Sequence, residues 1–94
     1  PDRDTSEEIS RQVLNRRLAA CANMFQIQSI YRWEGQVQEE NEFAILFKIR
    51  DEDFEEMKRE VLRLHPYEVP CIVRYQIAEG HAPYLEWISE STTR

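Results

Sequence analysis

Glycine is scarce in this chain of 94 residues: Gly35 and Gly80 are the only two. No Gly-rich loop is therefore available to cradle a nucleotide phosphate. Cysteine is equally sparse, and Cys21 and Cys71 form neither a disulfide framework nor a CxxC zinc pair. Positive charge is also short, with 12 Lys and Arg against 18 Asp and Glu and a net charge of −6. A phosphate-backbone partner needs a basic face, so no nucleic acid is expected. No apolar run approaches the ~20 residues of a membrane span, and the opening Pro1-Asp2-Arg3-Asp4 is unlike a signal peptide. The expectation is a single domain over residues 1–94, cytoplasmic, with two reduced thiols and no membrane partner.

What is present is strongly patterned. Thr5 and Glu8 have the spacing of a capping box, followed by Ile9, Val13, Leu14 and Leu18 at helical intervals. Glu7 and Glu8 open that predicted helix and Arg16 and Arg17 close it, as the helix dipole favours. From Cys21 the period becomes two. Phe25, Ile27, Tyr31 and Trp33 share one strand face, with Gln26, Gln28 and Arg32 on the other. Glu34-Gly35 makes a tight turn, and Val37, Phe43, Ile45, Phe47 and Ile49 mark a second, antiparallel strand. Asp51-Glu52-Asp53 announces another helix, whose apolar stripe is Phe54, Met57, Val61 and Leu62 and which Pro66 ends. Cys71, Val73, Tyr75 and Ile77 alternate with Arg74 and Gln76, which predicts a third strand. Gly80 breaks it, and Pro83 opens a short final helix with Tyr84, Trp87 and Ile88.

The predicted order is α-β-β-α-β-α, an α+β fold. It reads as a ferredoxin-like (split βαβ) sandwich with a long β-hairpin, its first strand missing from this chain. The strands Cys21–Trp33 and Gln36–Arg50 are each roughly twice the usual 5–6 residues. A hairpin of that length reaches ~40 Å and projects beyond a small sheet, so it calls for pairing with another copy of the chain.

His65-Pro66-Tyr67-Glu68-Val69-Pro70 is a stiff connector, because each proline fixes its own φ and restrains the residue before it. With Leu18-Ala19-Ala20-Cys21-Ala22-Asn23, Ser29-Ile30-Tyr31-Arg32-Trp33-Glu34-Gly35 and the ending Tyr84-Leu85-Glu86-Trp87-Ile88, it resembles the CutA family, the divalent-cation tolerance proteins. The blocks match in order and spacing, and the resemblance spans nearly the whole chain. It implies a homotrimer in which neighbouring hairpins extend one another's sheets, and an apolar strand ahead of Pro1. Two departures stand out: Cys71 replaces the Glu of the family's Val-Pro-Glu-Ile, and Ile49 replaces the Thr that often follows the strand lysine, here Lys48.

No local metal motif exists, so any metal site must assemble in space from Cys21, His65, Glu68 and Cys71, within or between subunits. Thiolates suit copper(I), and exchanging Glu for Cys71 softens the donor set. Against this, Cys21 has a plain role as a small core residue, His65 as a cation at a helix end, and Glu68 as an acceptor for connector amides. Tyr31, Trp33, Lys48, Tyr67, Tyr84 and Trp87 are candidates for an intersubunit cleft or interface, where aromatics commonly pack. Glu39, Glu40 and Glu42 read as a solvated hairpin face. The function implied is non-enzymatic: divalent-cation tolerance with copper or another divalent cation bound and no cofactor required. A PII-like signalling or scaffold trimer, with a small molecule between subunits, is the alternative. A Cys–His nucleophile is disfavoured, since no orienting group or oxyanion hole accompanies it. Copper chaperones of this fold need a CxxC loop and acylphosphatases a Gly-rich arginine loop, and neither is here.

Overall fold

Asp2, rather than Thr5, caps the first helix in the computed structural model, which describes residues 1–94. Its carboxylate accepts the Thr5 backbone N–H at 2.7 Å, and α1 runs Arg3–Asn15. Aspartate caps at least as well as threonine, so the helix starts three residues earlier, nearly a full turn, and Thr5 becomes part of it. Arg16 and Arg17 do not form its last turn. Arg17 takes a left-handed φ of 56°. The N–H of Leu18 donates to the Val13 carbonyl (3.2 Å) and that of Arg17 to Leu14 (2.9 Å). This is a Schellman ending without glycine, and its apolar partners Leu18 and Val13 are both buried.

The hairpin follows the sequence pattern closely. β1 (Cys21–Trp33) and β2 (Gln36–Lys48) pair antiparallel without a bulge, from Cys21 opposite Lys48 to Trp33 opposite Gln36. Both turn residues are left-handed, Glu34 at φ 49° and Gly35 at 77°, as a type I′ turn requires. β2 ends at Lys48, two residues before the expected Arg50. Pairing also fixes the faces. Phe43, Ile45 and Phe47 lie opposite Gln26, Met24 and Ala22, and Ile45 and Phe47 pack on the helical core. The reverse face carries Phe25, Ile27, Tyr31 and Trp33 with Leu46, Ala44, Glu42 and Glu40.

A 3₁₀ turn at Asp51–Asp53 leads into α2 (Phe54–Leu64). The core is Ile9, Val13, Leu18, Ala19, Met57 and Val61. Leu62, expected inside, is 49% exposed, whereas Glu60 is 3% exposed. Glu60 can be interior because guanidinium groups of Arg16 and Arg63 both pair with it. Asp53 is buried to the same degree and is held by Arg50 and Arg94. α3 (Ala82–Ser91) begins with Pro83 in its first turn and buries Ile88. Beyond it, the Thr92 carbonyl accepts from Arg50 at 3.0 Å, and Arg94 donates to the Arg17 carbonyl at 2.7 Å.

The expected third strand is the main correction. The sheet has two strands only, and residues 71–77 make no backbone–backbone hydrogen bond. Side chains hold the segment instead. Arg74 lies 5.1 Å from the Phe54 ring centroid, Gln76 donates to the Asp51 carboxylate at 3.1 Å, and Ile72 packs on the core. Alternation predicts which side chains face inward, but a strand also needs a neighbour. Between this segment and β2 lies an open trough of about 810 Å³, floored by Ile9, Ile45, Phe47, Met57 and Val61. The molecule measures 45 × 26 × 21 Å, its long axis set by the hairpin.

Candidate functional site

The connector after α2 is tied down by two hydrogen bonds. The Tyr67 backbone N–H donates to Nδ1 of His65 at 3.0 Å, closing a turn around Pro66. The Tyr67 hydroxyl donates to Glu42 Oε2 on β2, also at 3.0 Å. The two rings lie 4.8 Å apart at 55°. His65 and Tyr67 are half-buried, and both line the mouth of the trough with Glu42, Ser29 and Ile27.

This packing has electrostatic consequences. Burial pushes the Tyr67 phenol up to about 12, and the Glu42 carboxylate adds to the shift through the hydrogen bond and its charge. Burial likewise depresses the His65 imidazole, and Glu42 opposes that shift. Tyr31, on the same hairpin face, is raised by burial and by Glu40. Since Nδ1 accepts the Tyr67 amide proton, the neutral His65 ring carries its own proton on Nε2.

The other candidate residues lie elsewhere. Cys21 opens β1 directly opposite Lys48. Its thiol reaches Asn23 Oδ1 at 3.7 Å, and the Lys48 ammonium donates to the same oxygen. Lys48 and Glu42 are six positions apart on β2, so Cys21 and the His65 connector sit ~20 Å apart along the hairpin. Glu68 is exposed. Cys71 is exposed at the start of the unpaired segment and lines the trough. Trp33 stands at the hairpin tip, 42% exposed. Tyr84 and Trp87 stack on α3 with centroids 5.4 Å apart.

The structure thus joins His65 and Tyr67, and separately Cys21 and Lys48. It does not join the four candidate metal donors, and no three His, Cys, Asp or Glu side chains form a group able to hold a metal ion. Within one chain the donor set does not fit a cation. Glu42 and Asn23 were missed as site residues. Strand parity signals Glu42, which falls on the face of Ile27 and Tyr31 and not on a purely solvated one. Asn23 shares the Cys21 face for the same reason.

Comparison with known proteins gives a consistent answer. The family model described as CutA1 divalent ion tolerance protein matches residues 1–91. The divalent-cation tolerance protein CutA of Pyrococcus horikoshii is 36% identical over all of this chain and 92% of its own length. The solved structure of the periplasmic divalent cation tolerance protein CutA from Archaeoglobus fulgidus superposes with a TM-score of 0.97 at 39% identity. That match covers 99% of this chain and 91% of the other. A PII-like protein CutA from Nostoc sp. PCC 7120, in apo form, gives 0.90 at 28% identity, covering 96% and 88%.

Proposed function

The chain belongs to the CutA1 divalent ion tolerance protein family, and from that premise we propose that it is a non-catalytic homotrimer of the cytoplasm that binds copper or another divalent cation. The family match over residues 1–91 carries this reading.

Physical chemistry supports the assembly. Only 12 of 94 residues are buried, and Phe25, Ile30, Trp33, Val37 and Leu46 remain substantially exposed along the hairpin. Apolar surface on that scale marks an interface. β1 and β2 each keep one unpaired edge, and neighbouring hairpins would satisfy those backbone groups. The ferredoxin-like subunit completes itself by an apolar strand in the trough. Such a strand, antiparallel to β2 and leading into α1, makes two interleaved right-handed βαβ crossovers.

Since donors within one chain do not converge, a cation is held between subunits, with Cys21 and Cys71 as the soft ligands. Cys71 biases that site toward copper(I). The second reading is a PII-like trimer that takes a small molecule in the intersubunit cleft. It is favoured by the likeness to the PII-like Nostoc protein and by the aromatic and carboxylate groups at the trough mouth.

The test is a competition titration of reduced, metal-stripped protein with copper(I), copper(II) and zinc, with mass followed by light scattering. Cys21→Ser and Cys71→Ser run alongside. Affinity tighter than micromolar, about −8 kcal/mol, that collapses in one variant supports cation binding. Weak binding untouched by either change refutes it and favours the small-molecule reading, while a monomer throughout refutes the trimer.

A further inference from the structure

We propose that Cys21 and Lys48 form an acyl-relay pair, in which the Cys21 thiol takes an acyl group from a small thioester and passes it to the Lys48 amine. Register brings the two together. Cys21 lies directly opposite Lys48, where β1 starts and β2 ends, and directly opposed residues have Cβ atoms about 4.5–5.5 Å apart. One atom then holds both side chains: Asn23 Oδ1 accepts from the Lys48 ammonium and lies 3.7 Å from the Cys21 sulfur. The Ala20 N–H donates to the Lys48 carbonyl at 2.8 Å, which fixes the backbone at that end of the pair. Both side chains are partly exposed, so a small reagent reaches them. Lysine is otherwise scarce, for the chain has only Lys48 and Lys58. Lys58 is on α2, paired with Glu55 at 3.0 Å and set over the Phe54 ring. The hairpin register thus singles out one of two lysines.

The chemistry balances without an oxidant. The Cys21 sulfur, as its thiolate, attacks the thioester carbonyl. A new C–S bond forms, the carrier's C–S bond breaks, and the carrier leaves as a thiol with the proton that Cys21 gave up. The Lys48 amine, in its uncharged form, then attacks the Cys21 thioester carbon. A C–N bond forms, the C–S bond breaks, and the amine proton goes to the departing sulfur, which restores the Cys21 thiol. The net change turns one thioester and one amine into one amide and one thiol. Proximity drives the second step, because groups held side by side react within one molecule and not by collision. Acylation removes the Lys48 charge and its hydrogen bond to Asn23, so one tie between β1 and β2 is lost at that end. The relay does not rest on the cation reading, and Cys71 plays no part in it.

The experiment incubates reduced, metal-stripped protein with acetyl-coenzyme A and follows acetylation of Lys48 and Lys58 by peptide mass spectrometry. Lys48 should react at least tenfold faster than Lys58. Cys21→Ser should slow Lys48 at least tenfold, to the rate of Lys58, while Cys71→Ser leaves it unchanged. Lys48→Arg should strand the acyl group on Cys21, as a thioester that hydroxylamine removes. Acetic anhydride, which acylates amines without a thiol, should modify Lys48 equally in the wild type and in Cys21→Ser. Equal rates at the two lysines, or a Lys48 rate that Cys21→Ser does not slow, overturns the relay. An unacylated Cys21 in Lys48→Arg, or a Lys48 rate that falls in Cys71→Ser, overturns it too. So does an anhydride rate that falls in Cys21→Ser, since the effect then lies in exposure of the amine.

Discussion

Asp53→Asn should be among the most damaging single-atom changes in this chain. The carboxylate is 3% exposed and is gripped by Arg50 Nε at 3.2 Å and by the Arg94 guanidinium. Through those arginines it ties the 3₁₀ turn to the carbonyls of Thr92 and Arg17, and hence to the ends of α3 and α1. Asparagine keeps the size but removes the charge and turns an N–H₂ toward a guanidinium. Breaking a buried, hydrogen-bonded ion pair costs about 3–5 kcal/mol. Arg94 is 38% exposed, so water takes over part of its share, and about 3 kcal/mol is expected. For a domain of this length that corresponds to a loss of ~12–24 °C in Tm. The assay is thermal and urea unfolding by circular dichroism at one fixed protein concentration, since assembly would couple to stability. Acid titration adds a second readout. Burial alone would raise the Asp53 pKa, but Arg94 and Arg50 outweigh it and hold the carboxyl low. Its stabilisation is thus present above its unfolded value of about 3.9 and is lost as pH falls through the folded one. The variant should lack that part of the acid limb. A loss under about 1 kcal/mol, or an acid limb identical to wild type, refutes the reasoning.

Glu60→Gln keeps an acceptor for one arginine but gives up the charge, and a loss of about 1–2 kcal/mol in urea unfolding is expected. The Arg16 hydrogen bond chiefly holds the Glu60 pKa low, so the wild-type advantage should fade as pH drops below about 4. Gly35→Val has open space around the new Cβ but a φ of 77° that a β-branched residue resists. It should cost about 1–2 kcal/mol, whereas Gly35→Asn should cost little, both read from the urea midpoint.

How far the sequence carries depends on what each pattern encodes. The hairpin was legible because alternation and the Glu34-Gly35 turn state the same register. Helix positions were legible too, but not their ends: Asp2 outcompetes Thr5 as a cap, and only the backbone geometry decides between them. Glu60 and Asp53 were hidden, since a buried carboxylate looks like a surface one until its arginines, distant in sequence, come into place. Residues 71–77 carry a strand's side-chain alternation without a strand's hydrogen bonds, which depend on a neighbour. At the candidate site, Pro66 and Pro70 pointed to His65 and Tyr67, while Glu42 passed as one of three surface acids. Cys21 lies too far along the hairpin to join them.

The open trough also shapes how the chain behaves during synthesis. The hairpin leaves the ribosome before residues 71–77 do, and its contacts are local, so it forms while the opposite bank of the trough is still unmade. From then on β2 shows a row of free amides and carbonyls beside an oily floor, a docking place for any extended segment nearby. Reaching the native arrangement then depends on that edge being covered before an accidental segment takes it. Crowded nascent chains raise the risk, and early cover of the edge lowers it.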